Sequence, residues 1–335
     1  VLKRLVVNQD NTSSGVQRGS CLLEAYKLDG TFMWRIDLGI NIRQGPHYTP
    51  FIVYDFDRDV RAEVAFRSSE GTVFGDGTKI GDVNKDGIID YRNQASRMVL
   101  DGPEFVSVVE GTTGKEMART EYIPRGEKST WTAYWGDDWG NRIDRFLMGV
   151  GHFGSQDGRA SLVICRGYYN HYQVWALHFT DGKLRNRWTF DTSPNYLDWV
   201  GQGNHNLSIG DVDNDGKDEI IYGSCTIDHD GTGLYSTKLG HGDALHLGKF
   251  DPNLPGLQVV SCHESPSQHG GKGTTFRDAA TGSIISWIPG SGDVGRCMVA
   301  DVDPENPGCE YWSSSSGYLY SCSTGQNLNK KGPST

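Results

Sequence analysis

An all-β fold of the β-propeller class is predicted by three features of this 335-residue sequence. Glycine is abundant, an acidic loop followed by a β-branched run recurs along the chain, and a hairpin-forming element alternates with that loop. The 44 glycines are close to twice the usual share, and glycine with Asp and Asn makes turns, which disfavours long helical bundles. With 9 Trp, 15 Tyr and 12 Phe there is ample apolar bulk for a packed core, so a disordered chain is excluded. No apolar run approaches the roughly 20 residues that a membrane helix needs. Asp and Glu number 42 against 32 Lys and Arg, and a net charge of −10 argues against nucleic acid as a partner.

The elements follow in chain order. Val1-Leu2-Lys3-Arg4-Leu5-Val6-Val7 reads as the middle of a strand, and Gly332-Pro333-Ser334-Thr335 lacks a closing element. The chain is therefore expected to be one propeller domain, residues 1–335, truncated at both ends. The acidic loop is clearest from Asp55 to Glu63 and from Asp211 to Glu219, each running into a β-branched stretch. Weaker copies start at Asp251 and Asp301, and a degenerate one sits at Asp157-Gly158. Between them lie Asp29-Gly30, Thr113-Gly114, Asp181-Gly182 and Thr281-Gly282, polar turns flanked by alternating strands. The loops at 211, 251 and 301 are 40 and 50 residues apart, the period of a propeller blade, and five or six blades can be counted. A sandwich would be punctuated less regularly, and βα units would show helical patterns of roughly 10–15 residues.

The acidic loops place oxygen-bearing side chains at positions 1, 3, 5 and 9: Asp55, Asp57, Asp59 and Glu63; Asp82, Asn84, Asp86 and Asp90; Asp211, Asp213, Asp215 and Glu219. Alternate side chains converge when such a loop curls, and an all-oxygen cage suits a hard cation such as calcium. Four clustered carboxylates repel one another without one. Gly87 and Gly216 supply the tight turn in two loops, and Val60 stands there in the other. The competing reading is a solvated acidic turn. The copies at 251 and 301 carry proline in place of an acid and read as structural.

A second constellation comprises His205, His241, Asp243 and Glu264, each beside glycine or another polar residue near a blade boundary. Such groups are poor core fillers, since buried charge needs a partner. As a nitrogen-and-oxygen set they suit zinc or manganese as well as calcium, or a hydrogen-bonded network with no metal. The 7 cysteines leave at least one thiol unpaired within the chain. Cys165, Cys225 and Cys262 end apolar runs and read as buried filler, whereas Cys297, Cys309 and Cys322 could pair.

Seven stretches carry a resemblance over nearly the whole chain. They are Ala25–Gly30, Gly140–Arg145, Cys165–Tyr169, Gly201–Leu207, Gly233–Thr237, Leu239–His246 and Asp293–Arg296. With them the sequence resembles the rhamnogalacturonan lyases of polysaccharide lyase family 11. The resemblance implies an eight-bladed, calcium-loaded propeller that cleaves the rhamnogalacturonan I backbone of pectin by β-elimination. It implies that His205, His241, Asp243 and Glu264 bind calcium and that Arg296 is catalytic. Arg142, Arg145 and Arg166 are candidates to bind the anionic polymer, with salt bridges to acids such as Asp144 as the alternative. Tyr168, Tyr169 and Tyr196 could stack on sugars, with ordinary packing as the alternative. Two departures stand out. Leu5 occupies the place of a substrate-facing Asp, and the family's catalytic Lys and a substrate-binding Tyr correspond to positions beyond Thr335. An exported monomer acting on pectic polysaccharide is expected. The rival reading is a non-catalytic calcium-binding propeller serving adhesion or glycan capture.

Overall fold

The computed structural model describes residues 1–5, 19–45, 47–96 and 98–335. They form two compact units, Val1–Val150 with Ser155–Gly167 and Gln173–Thr189, and Gly151–Gly154 with Tyr168–Tyr172 and Phe190–Thr335. The architecture is all-β. Among the described residues there are six meander sheets, in which each strand pairs with its neighbours in the chain. The first has three strands, β1 (Leu2–Leu5), β2 (Leu22–Tyr26) and β3 (Phe32–Asp37). The second holds β4 (Phe51–Tyr54), β5 (Glu63–Ser69), β6 (Glu104–Glu110) and β7 (Glu116–Glu121). The third, mainly in the first unit, holds β8 (Phe146–Gly151), β9 (Ser161–Arg166), β10 (Gln173–Thr180) and β11 (Lys183–Asp191).

The second unit carries three more sheets. They are β12 (Ser208–Gly210) to β15 (Gly233–Ser236) by way of β13 (Glu219–Ile221) and β14 (Cys225–Ile227); β16 (Leu245–Gly248), β17 (Gln258–Cys262), β18 (Lys272–Asp278) and β19 (Ile284–Pro289); and β20 (Cys297–Ala300), β21 (Glu310–Ser313), β22 (Tyr318–Ser321) and β23 (Asn327–Lys331). Six sheets match the upper count made from the repeats. The acidic loops at 55, 157, 211, 251 and 301 each join the first strand of a sheet to its second, and the Asp-Gly and Thr-Gly turns join the last two strands. Asp181 and Gly182 both have positive φ (52° and 66°), the backbone a two-residue hairpin turn demands. The loop at 82 is different, lying between β5 and β6.

The second strand of each four-stranded sheet is buried along its whole length. Every residue of β5, β9, β13, β17 and β21 is buried, as expected for β-branched runs covered on both faces. Outer strands such as β11 are mostly exposed. Within each unit, successive sheets pack face to face. Val64 and Phe66 of β5 meet Leu23, Trp34 and Ile36 of the first sheet. Val260, Phe276 and Ile288 meet Cys297 and Tyr311 of the last sheet. No helix among the described residues is long and apolar enough to cross a membrane.

Candidate active site

Four of the residues picked from sequence converge in the second unit. The rings of His205 and His241 lie 4.9 Å apart. His205 Nε2 is 3.3 Å from Asp243 Oδ1, and His241 Nε2 is 4.0 Å from both Asp243 Oδ1 and Glu264 Oε2. The backbone brings them together: the His205 amide donates to the Gly242 carbonyl (3.3 Å) and the Glu264 amide to the His241 carbonyl (2.9 Å). Gly242 is required there, because a Cβ at that position would stand 2.0 Å from the Cys262 carbonyl oxygen.

The tautomer of His241 is fixed by its surroundings. Its Nδ1–H donates to the Gly203 carbonyl (2.7 Å), so in the neutral ring Nε2 keeps its lone pair and presents it to two carboxylates. A lone pair facing carboxylate oxygens is repulsive unless a proton or a cation lies between them, and this donor set fits a divalent cation. Burial and the charge of Asp293 push the Asp243 carboxyl up, while Arg296 pulls it down. Asp243 Oδ2 accepts from Arg296 Nη1 at 3.1 Å, and the Arg296 side chain is 65% exposed. A single carboxylate thus joins the imidazole cluster to an accessible guanidinium.

Tyr168 and Tyr169 surround the same cluster. Tyr168 OH is 3.1 Å from His205 Nδ1 and Tyr169 OH is 3.0 Å from His205 Nε2. Tyr168 is 1% exposed and stacks on His241 at 5.5 Å, so it orients imidazoles and does not offer a face to a sugar. Tyr169, partly buried, packs on His241 at 4.3 Å. Tyr196 packs on Phe190 and Trp199.

The expectation for Arg145 and Arg166 as polymer-binding groups is corrected. Arg166 is fully buried in the first unit, where it bonds Glu104 and the Ile123 carbonyl (2.9 Å). Glu104 also holds Arg67 (2.5 Å) and Arg125 (3.0 Å). Burial alone would raise Glu104, yet Arg125, Arg166 and Arg67 hold its carboxyl down at about 2. Arg145, 3% exposed, bonds Asn141 Oδ1 and Tyr48 OH. A buried guanidinium bound in such a network is unavailable to a polymer. Arg142 alone of the three is exposed, with its amide on Asp137 Oδ2 at 2.7 Å.

The acidic loops share one backbone. Residues at the fourth and sixth positions are left-handed in all three: Arg58 and Val60 (φ 66° and 73°), Lys85 and Gly87 (61° and 75°), Asn214 and Gly216 (65° and 84°). In each, the sixth residue's amide donates to the first Asp, at 3.0–3.1 Å. The acid on the following strand then closes the loop, Glu63 accepting from the Phe56 amide (2.7 Å) and Glu219 from the Val212 amide (2.8 Å). Asp55, Asp57 and Glu63 bring ligand oxygens within 4.8 Å of one another, and so do Asp211, Asp213 and Glu219. Asp211 Oδ1 and Glu219 Oε1 are buried without a hydrogen-bond donor, a fit to a cation bound by oxygen.

In the loop at 82, Asp90 is not the closing acid. It forks onto Arg92 (2.8 and 2.6 Å), and Glu70 at the end of β5 takes its place, accepting from the Val83 amide at 2.7 Å. Asn84 and Asp86 are tied to Tyr91 OH (3.1 and 3.2 Å). His229 is a second group that sequence reasoning missed. Its Nδ1 is 3.5 Å from Asp215 and 3.9 Å from Glu219, so a nitrogen joins the loop at 211. Neither Glu70 nor His229 carries a local sequence signal. In the loop at 301, Lys330 Nζ sits 2.8 Å from Asp303, supplying a positive charge from the chain itself.

Val60 is the strained member, a β-branched residue at φ 73° and 92% exposed. Val60→Gly is expected to stabilise the protein by about 1 kcal/mol, the strain relieved exceeding the added chain entropy. Thermal melting checks this, and an unchanged or lowered midpoint refutes it.

These features define an all-β domain with a cation-ready imidazole–carboxylate cluster beside an exposed arginine. The chain belongs to rhamnogalacturonan lyase family 11, matching its C-terminal domain over residues 3–335. It is 51% identical over 316 residues to the rhamnogalacturonan endolyase YesW of Bacillus subtilis, covering 94% of this chain and 48% of that protein. The rhamnogalacturonan exolyase YesX of the same organism is 46% identical over 336 residues, covering 98% of this chain and 53% of that protein. The crystal structure of YesW superposes with a TM-score of 0.89 at 49% identity, covering 98% of this chain and 54% of that one. The chain therefore spans about half the length of the curated relatives it matches.

Proposed function

We propose that this chain is part of a rhamnogalacturonan lyase that cleaves the galacturonate–rhamnose bond of rhamnogalacturonan I by β-elimination, with calcium as its cation. Its six meander sheets are read as blades of a β-propeller that the full polypeptide completes, which the regular blade-like repeat supports. The observation that carries the reading is the exposed Arg296 guanidinium hung on Asp243, whose other oxygen belongs to the two-imidazole cluster.

A base takes the proton on the carbon next to the uronate carboxylate, a carbon–carbon double bond forms as the C–O bond breaks, and the glycosidic oxygen leaves and picks up a proton, giving an unsaturated sugar. That proton is weakly acidic, because the carboxylate already carries the charge that a carbanion would add to. His205, His241, Asp243 and Glu264 would hold the cation, which supplies positive charge beside that carboxylate. Arg296 pairs with the carboxylate through its planar fork and stabilises the charge that develops as the proton leaves. A guanidinium stays protonated, so Arg296 is a neutralising group and not the base. Asp243 aims it, while Tyr168 and Tyr169 hold His205 in place. Arg142 is the remaining arginine candidate for contacting the polymer.

The full natural polypeptide, incubated with rhamnogalacturonan I, is expected to generate the ultraviolet absorbance of unsaturated uronate and to lose it with a chelator. Binding without product would instead support a non-catalytic glycan-binding module, the outcome to which Leu5 is most relevant. An exported monomer with no nucleic-acid partner fits this reading, since an intact polymer of this kind is met outside the cell.

A further inference from the structure

Beside the imidazole–carboxylate cluster, two thiols converge on one backbone carbonyl. Cys262 ends β17, Cys297 opens β20, and both thiols turn to the same residue, Ala244. The Ala244 carbonyl faces both, 3.8 Å from Cys262 Sγ and 3.6 Å from Cys297 Sγ, and the Ala244 amide donates to Cys262 Sγ at 3.4 Å. They share a core with Val260, Phe276, Ile288 and Tyr311, and neither is more than 2% exposed. Each member of this contact adjoins a site residue: Ala244 follows Asp243, Cys297 follows Arg296, and Cys262 precedes Glu264 by two positions.

We propose that Cys262 and Cys297 are an oxidisable pair that closes to an intramolecular disulfide, stapling the strand that leads to Glu264 to the strand that begins after Arg296. A peroxide small enough to enter the core is the oxidant. One cysteine sulfur attacks a peroxide oxygen; the O–O bond breaks, water leaves and a sulfenic acid remains. The second sulfur attacks the first, the S–O bond breaks, the S–S bond forms and a second water leaves. Two thiols have then lost two electrons and two protons, and one hydrogen peroxide has become two waters. Cys225 has different company, the Tyr172 hydroxyl at 3.0 Å. The rival pair is Cys309 and Cys322, whose backbones bond at 2.9 Å. The bond forms or fails to form whether or not the chain is a lyase, so its readout is covalent.

The reduced protein is treated with a few equivalents of hydrogen peroxide, unfolded in iodoacetamide and digested without reductant. The expected result is a linked peptide joining Cys262 to Cys297, an intact mass lower by about 2 Da, and reversal by a phosphine reductant. The melting midpoint should rise by roughly 5–10 °C, because the bridge constrains the unfolded chain. The proposal is overturned if both cysteines are recovered alkylated, if either gains oxygen without a bridge, or if the only link joins Cys309 to Cys322. Cys297→Ser should abolish the rise in midpoint, and a persisting rise also overturns the proposal. The linked peptide from the unsubstituted protein needs no variant, so a misfolded variant leaves the test intact.

Discussion

Arg296→Ala in the full natural polypeptide is expected to lower the rate of unsaturated-uronate formation by on the order of 10³-fold while leaving the melting midpoint nearly unchanged. The two halves of this expectation have different causes. Arg296 is 65% exposed and makes one ion pair, with Asp243, plus a bond to the Gly295 carbonyl. Exposed pairs of this kind contribute about 0–1 kcal/mol, and the partly exposed Asp243 can take water in exchange. The charge that develops on the uronate is different, because an aligned cation counts most where charge appears only on the way to the transition state. Arg296→Lys keeps the charge and loses the fork, so its rate should fall between the two. Initial rates from ultraviolet absorbance, read beside thermal melts, check both halves. A variant within tenfold of the parent rate removes Arg296 from the mechanism.

What the sequence could reveal follows from how local each feature is. The acidic loops at 55 and 211 were legible because ligand spacing, turn and closing acid all lie within one stretch of nine residues. The loop at 82 breaks that rule: its closing acid, Glu70, comes from just past the preceding strand, and Asp90 at the expected spacing is taken by Arg92. His229 reaches its loop from the turn after β14, which no spacing rule anticipates. The imidazole cluster was legible as a set of residue types, because glycine-flanked histidines and acids have little reason to be buried. Arginine was the hardest to read. Arg166 and Arg296 look equally available in the sequence, yet one is sealed against Glu104 and the other faces solvent, and only tertiary packing decides between them.

The response of stability to pH and cation is expected to reverse sign between two conditions. Burial raises Glu63 and Glu219 from the ordinary 4.5 to about 7, reinforced by neighbouring aspartates and opposed by the amides of Phe56 and Val212. A carboxyl raised on folding binds protons more tightly folded than unfolded. Without cation, it therefore favours the folded state below about pH 4.5, and that advantage drains away as pH climbs towards 7. A divalent cation held by the ionised carboxylates would support the folded state more strongly as they lose their protons. Melts in chelator should thus fall in midpoint from pH 5 to pH 7.5, whereas melts in saturating calcium should hold or rise. The gap at pH 7.5 should reach roughly 4–8 °C, the shift for one or both loops loaded at about a hundred times the dissociation constant. Glu63→Gln with Glu219→Gln should flatten the chelator curve and shrink the gap, since the amides neither titrate nor bind as anions. A calcium shift of equal size at both pH values, or one that survives the double substitution unchanged, would show that the ions sit elsewhere than in these loops.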